Sequence, residues 1–155
     1  MPLIANSAAA AGWLILALSL AAAEPGVKVQ VAGGTVPAIA PKTSLRLDLT
    51  GADSLLLRFG ASHVGIAYRK INTVEYGQNV SRRYAAAVLI SPVLLLSKSR
   101  RHFVTIGYVD EEDRQQALVI RVEKGDIRSV LAGLEARTGR RIEFQNDEAR
   151  KAGKG

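Results

Sequence analysis

HVGIAYRKINTVEYG, residues 63–77, is the stretch of this chain that decides its fold. Its first part alternates apolar and other residues up to Tyr68, which is typical of a strand with one buried side. A tight bend at residues 69–71 separates this strand from a second apolar segment that ends at Tyr76. We expect Tyr68, Ile71 and Tyr76 to be structural, and the two segments to be strands of a small sheet.

The residues before this stretch show the same alternation. Leu45, Leu47 and Leu49 occupy alternate positions, so a half-buried strand is predicted there. Residues 51–54 are Gly-Ala-Asp-Ser, which is turn chemistry, and residues 55–59 form the returning strand. This part of the chain therefore predicts a meander of short antiparallel strands.

The residues after the stretch predict two more strands and a helix. Strands are expected at residues 102–109 and 115–122, joined by an acidic hairpin turn at residues 110–113. Asp126 is the expected cap of an amphipathic helix that Gly139 ends, and a short strand could follow at residues 141–144. The buried helix positions follow the i, i+3, i+4, i+7 spacing: Ile127, Val130, Leu131 and Leu134. The predicted fold class is mainly β with some α: a small bent antiparallel sheet or barrel with a C-terminal amphipathic helix.

Two segments of this pattern resemble bacterial pleckstrin-homology-like (PH-like) proteins. Residues 66–76 resemble their strand, aromatic, bend and strand element, and residues 98–106 followed by the acidic turn resemble their second half. The resemblance covers residues 43–144 and implies a PH-like sheet or barrel closed by a helix. Inositol-phosphate recognition is not expected, because residues 51–54, the corresponding first turn, contain no cation.

Composition limits the chemistry open to this protein. The 155 residues include no cysteine and two histidines, and the formal net charge is +7. Disulfides, thiolate metal sites and a cysteine nucleophile are excluded, and no cofactor, metal or catalytic residue is predicted. The acidic residues 110–113 are consecutive rather than spaced as in a calcium-binding loop, so a solvated hairpin tip is expected. The positive charge favours an anionic partner.

The N-terminal segment predicts that the protein leaves the cytoplasm. Residues 4–23 contain no charge, and three alanines precede Glu24, which favours a cleaved signal peptide at residues 1–23. An uncleaved membrane anchor at residues 4–23 is the alternative, because about 20 apolar residues span a bilayer. A periplasmic or extracellular location is expected, and nucleic acid is not an expected partner.

Residues 24–42 contain several Gly and Pro residues and are expected to be a lead segment, either a linker or an edge strand. The PH-like domain is expected at residues 43–144. Residues 145–155 are expected to be a basic, flexible tail.

The candidate binding surface surrounds the apolar residues 85–96. This segment is too short to span a membrane, and burial is favoured over exposure because large exposed apolar patches are rare. Basic residues flank it on both sides and would meet an anionic partner in either case: Arg82, Arg83, Lys98, Arg100 and Arg101.

Three functions are compatible with these features. The first is an exported, non-enzymatic interaction or scaffolding module of the cell envelope. The alternative is a peripheral binder of anionic membrane surfaces, which would use the basic rim and the apolar residues 85–96. An enzyme with no recognisable site is the third.

Overall fold

A computed structural model describes residues 24–80 and 101–154. The described residues form one eight-stranded sheet, two α-helices and a single 3-10 turn. The elements in chain order are β1 (Val27–Gly34), β2 (Ser44–Asp48), β3 (Ser54–Phe59), β4 (Ser62–Ala67), the 3-10 turn (Tyr68–Lys70), β5 (Ile71–Gly77), β6 (His102–Val109), β7 (Gln115–Val122), α1 (Ile127–Thr138), β8 (Glu143–Phe144) and α2 (Asp147–Lys154).

The sheet is open and mixed. Its strand order is β4-β3-β2-β1-β7-β6-β5-β8, and all neighbouring pairs are antiparallel except β5 and β8. The predicted mainly β sheet with a C-terminal helix is therefore confirmed. The barrel form of that prediction is wrong, because β4 and β8 are the two edges of the described sheet and do not pair with each other.

The strands after the predicted bend agree closely with expectation. β6 and β7 pair along their whole length, from His102 opposite Val122 to Val109 opposite Gln115. Residues 110–114 turn the chain between them, so the predicted acidic hairpin tip is confirmed. The 3-10 turn occupies the predicted bend, and Tyr68, Ile71 and Tyr76 are all buried.

The lead segment differs from its prediction. β1 was expected to be a linker or an edge strand, but it lies inside the sheet between β2 and β7. Val29 pairs with Leu45 on one side and with Val122 on the other. The Gly and Pro residues that suggested a linker are in fact confined to the ends of this strand and the turn that follows.

The main core lies on one face of the sheet and includes the buried face of α1. Ile127, Val130, Leu131 and Leu134 are buried as predicted, because their spacing places them on one side of the helix. A smaller apolar cluster contains Phe103 and Val119, which alternate along their strands with residues of the main core. Both faces of this part of the sheet therefore carry buried side chains.

The ends of α1 follow the sequence in part. Gly139 adopts a φ of 67° and its N–H donates to the carbonyl of Glu135, which is the predicted glycine stop. Asp126 is the N-cap residue, but its carboxylate makes no capping hydrogen bond. The Asp126 carbonyl instead accepts hydrogen bonds from the Val130 N–H and the Ser129 hydroxyl.

The C-terminal tail is a second correction. Residues 147–154 form α2 rather than a frayed tail, and the Ala149 side chain is completely buried. Gly153 allows this helix to approach closely, since a Cβ there would lie 2.8 Å from Phe144 and 3.2 Å from the Tyr76 ring. The residues that α2 packs against the domain are small, namely Ala149 and Gly153. Its sequence therefore lacks the apolar stripe from which a packed helix is predicted.

Candidate anion-binding cleft

The predicted basic surface is described in part. Arg82, Arg83, Lys98 and Arg100 lie outside the described residues, as do the apolar residues 85–96 and the N-terminal residues 1–23. Arg101 is described and half-buried, and it directly precedes β6. Its position marks the end of the sheet at which the described part of the predicted surface lies.

Strand pairing fixes what lies at that end. β5 ends at Gly77, which pairs with Phe103 of β6, and β7 ends at Val122, which pairs with His102. Residues 123–126 then connect β7 to α1. The start of β6 and the start of α1 are therefore neighbours.

A hydrogen bond joins Tyr76 and His102 at this end. The Tyr76 hydroxyl lies 2.6 Å from Nδ1 of His102, and the two rings are nearly parallel, at 13°, with centroids 6.0 Å apart. Burial raises the pKa of Tyr76, so the phenol keeps its proton at neutral pH. The buried Tyr76 hydroxyl has no other acceptor among the described residues, so donation to Nδ1 satisfies its proton and leaves the neutral imidazole's own proton on Nε2.

The surroundings of His102 favour its neutral form. Partial burial lowers the pKa of His102 and the Lys124 cation lowers it further, while the Glu123 carboxylate acts in the opposite direction. The imidazole is therefore a neutral hydrogen-bond donor at physiological pH rather than a cation. His63, on edge strand β4, is exposed and is not brought near it.

An open cleft of about 810 Å³ lies beside His102. Its volume is within the range of about 300–1,000 Å³ that is usual for ligand sites. The end of β5, the start of β6, the start of α1 and the helix α2 provide its lining: Gln78, His102, Lys124, Gly125, Ile127, Arg128 and Ala152.

The two cations that line this cleft have no salt-bridge partner among the described residues. Lys124 and Arg128 are exposed, and neither forms a salt bridge or donates a hydrogen bond within residues 24–80 and 101–154. The neighbouring carboxylate of Glu123 is paired instead with Arg121, at 3.1 Å. The cleft thus carries positive charge that no described acid compensates by contact.

Arg128 also lies where a helix does not favour a cation. The first turn of α1 contains no acidic residue, although the N-terminal end of a helix carries partial positive charge. This position was visible in the sequence, because Arg128 directly follows the predicted cap and first buried residue. It is the one signal that could have identified this cleft before the fold was known.

The acidic hairpin turn is satisfied internally. The Asp110 carboxylate accepts hydrogen bonds from the N–H groups of Glu112 and Arg114, the Arg114 guanidinium and the Gln116 amide. Desolvation raises the pKa of Asp110, but these hydrogen bonds outweigh it and lower the pKa to about 2. In the described part of the chain, no group of three or more histidine, aspartate or glutamate side chains is arranged to hold a metal ion.

Two comparisons with known proteins found no match. No family model matches the chain, and no curated protein matches it significantly.

Within residues 24–80 and 101–154, no helix is long and apolar enough to cross a bilayer.

Proposed function

We propose that this chain is an exported, non-enzymatic interaction module of the cell envelope, of the PH-like type, that binds an acidic partner at the cleft beside His102. The observation that carries the proposal is the position of Lys124 and Arg128, two cations without a salt bridge in the described residues. They lie at the end of the sheet where Arg101 enters β6. The predicted flanking cations Arg82, Arg83, Lys98 and Arg100 belong to the segment between β5 and β6, so they extend the same basic region in sequence.

Other features support the remaining parts of this proposal. The uncharged residues 4–23 support export. The order of short strands followed by α1, which packs on the main core, supports the PH-like type. The donors of the cleft are suited to holding an anion.

Photo-crosslinking in the native envelope tests this function. A photoreactive residue is placed at position 78 of the full-length chain, where Gln78 lines the cleft and both cations are kept, and a control is placed at Arg69, which is exposed on the 3-10 turn. We expect position 78 to give a discrete protein adduct and position 69 to give none. Equal labelling from both positions, or no adduct from position 78, would contradict the proposal.

Binding to an anionic membrane surface is the alternative outcome. Lipid adducts from position 78, with no protein adduct, would favour it. Co-sedimentation with anionic vesicles that is lost at high salt would then identify headgroup charge as the attraction. Neutral vesicles are the control in that measurement.

A further inference from the structure

The cleft beside His102 offers hydrogen-bond donors and positive charge. The side chains of Lys124 and Arg128 have no salt-bridge or hydrogen-bond partner among the described residues. We infer that the cleft binds a carboxylate from an acidic segment of a partner protein, held by Nε2–H of His102 and by the Arg128 guanidinium. This inference rests on the proposed function, since it names the chemical group that the acidic partner presents.

The first support is the fixed orientation of His102. Its Nδ1 is occupied by the Tyr76 hydroxyl at 2.6 Å, and Tyr76 is completely buried. The two rings lie nearly parallel, at 13°, and the hydrogen bond joins them end to end, which orients the imidazole beside the cleft. With Nδ1 accepting, Nε2 carries the proton and is the nitrogen left to donate to a ligand.

The second support is the pair of cations that line the cleft together with His102. Arg128 presents a planar fork of N–H donors, which matches the two oxygens of a carboxylate. Lys124 adds a compact positive charge beside the same imidazole, as its effect on the pKa of His102 indicates. Neither cation has a described salt-bridge partner that a ligand would need to displace.

The charge balance favours a ligand with one negative charge. Asp126 lies in the turn between Lys124 and Arg128, and Glu123 is close enough to act on His102. These two carboxylates lie outside the lining of the cleft, and they repel a dianion such as a phosphate monoester more strongly than a ligand with one negative charge. A glutamate or aspartate side chain brings a single charge at neutral pH.

The shape of the cleft favours a polypeptide over a bilayer. The donors lie in a recess between β6, α1 and α2 rather than on a flat face. Ala152 supplies an apolar wall against which the methylene groups of a glutamate side chain can pack. A segment of extended chain can enter such a recess, whereas headgroups held in a bilayer plane would require the walls to enter the membrane.

The test is titration of the full-length chain with a short glutamate-rich peptide, followed by NMR of the His102 ring nitrogens. The informative variant is His102→Asn, because its side-chain oxygen replaces Nδ1 as acceptor for Tyr76 while the cleft loses the Nε2–H donor. Arg128→Gln removes the fork, and Arg69→Gln is the matched control outside the cleft. We expect about a tenfold loss of peptide affinity for His102→Asn, a larger loss for Arg128→Gln and no change for Arg69→Gln.

The possible outcomes separate this inference from the proposed function. Unchanged affinity in a folded His102→Asn or Arg128→Gln variant would overturn the inference. Binding of dimethyl phosphate or anionic vesicles without binding of the peptide would overturn it as well, in favour of a phosphodiester. If His102→Asn does not fold, Arg128→Gln alone decides, because that exposed side chain has no described contact to lose. A protein adduct from position 78 together with unaltered peptide affinities in the variants would overturn only the inference of a carboxylate ligand. Altered peptide affinities without a protein adduct would overturn only the envelope function.

Discussion

Tyr68 and Tyr76 are two buried tyrosines of the same short stretch, and they differ in the hydrogen bonding of the hydroxyl and in the charges nearby. The Tyr76 hydroxyl has a partner, His102, and lies beside a cleft whose cations have none among the described residues. The Tyr68 hydroxyl is buried without a hydrogen-bond partner in the described chain, and the nearby Asp48 carboxylate is paired with Arg58. The difference separates a charge that is compensated within the fold from charges that we propose to bind a ligand.

The charges near Tyr68 illustrate the first kind. Asp48 is almost completely buried and accepts hydrogen bonds from the Thr50 hydroxyl, at 2.6 Å, and from the Thr50 N–H, at 2.9 Å. Its other oxygen accepts from Nε and Nη2 of Arg58, at 3.2 and 3.1 Å. These hydrogen bonds, led by that of the Thr50 hydroxyl, hold the pKa of Asp48 below its usual value. Both oxygens of this carboxylate are therefore engaged within the chain, and neither is available to a ligand.

The largest effect is expected from Asp48→Ala. Removing one member of a fully buried ion pair costs about 3–5 kcal/mol. The Arg58 side chain is 38% exposed and regains water when its partner is lost, so we expect the free energy of unfolding to fall by about 2–3 kcal/mol. Urea unfolding measures this, with Asp53→Ala as an exposed control. Affinity at the cleft should not change, and a large loss of affinity would break the separation drawn between the two regions.

The next effect is expected from Tyr76→Phe. This variant removes the hydroxyl from His102 and lowers the free energy of unfolding by about 1 kcal/mol, the usual net value of one hydrogen bond. It also releases the imidazole from one tautomer, which nitrogen chemical shifts of the ring would report. An unchanged tautomer in Tyr76→Phe would show that the hydroxyl does not fix the donor of the cleft.

Tyr68→Phe is the matched variant, and its expected effect has the opposite sign. A buried hydroxyl without a partner destabilises the folded state, so its removal should raise the free energy of unfolding by up to about 1 kcal/mol. The same urea experiment compares the two tyrosines directly. A loss of stability as large as that of Tyr76→Phe would reveal a partner for Tyr68 and remove the contrast.

The smallest effect is expected from pH. The pKa of His102 is lower in the folded protein than its ordinary value of 6.5, so the unfolded chain binds the proton more tightly. The contribution of His102 to stability is complete above pH 6.5 and is lost as the pH falls through the lowered value. Stability measured from pH 7.5 to 5 should therefore decline, and His102→Asn should flatten this slope while His63→Asn retains it. If stability still declines with falling pH in His102→Asn, the decline is caused by another titratable group.

Part of this architecture was predictable because its signals are local. Strict alternation around an acidic turn identifies β6 and β7, and helical spacing with a glycine stop identifies α1. The interior position of β1 was not predictable, since it depends on pairing with β7 at the far end of the domain. α2 escaped prediction because its contacts are made by Ala149 and Gly153, which give no hydrophobic pattern.

The cleft was less predictable than the fold. Tyr76, His102 and Arg128 belong to three different elements, and only the strand order brings them together. Arg101 alone, of the predicted binding residues, is described near this end of the sheet. The basic surface predicted from Arg82, Arg83, Lys98 and Arg100 stays a prediction, because those residues lie outside the described ranges.

The interior position of β1 also affects how the chain is made. β1 is synthesised first among the strands, yet one of its two partners, β7, is the last long strand to appear. Local hairpins such as β3–β4 and β6–β7 form quickly, whereas joining β1 to β7 requires closure of a loop that contains most of the domain. Until β7 emerges, one side of β1 offers unpaired backbone groups to any other chain. A strand that is paired on both sides in the finished sheet is thus an open edge in the nascent chain.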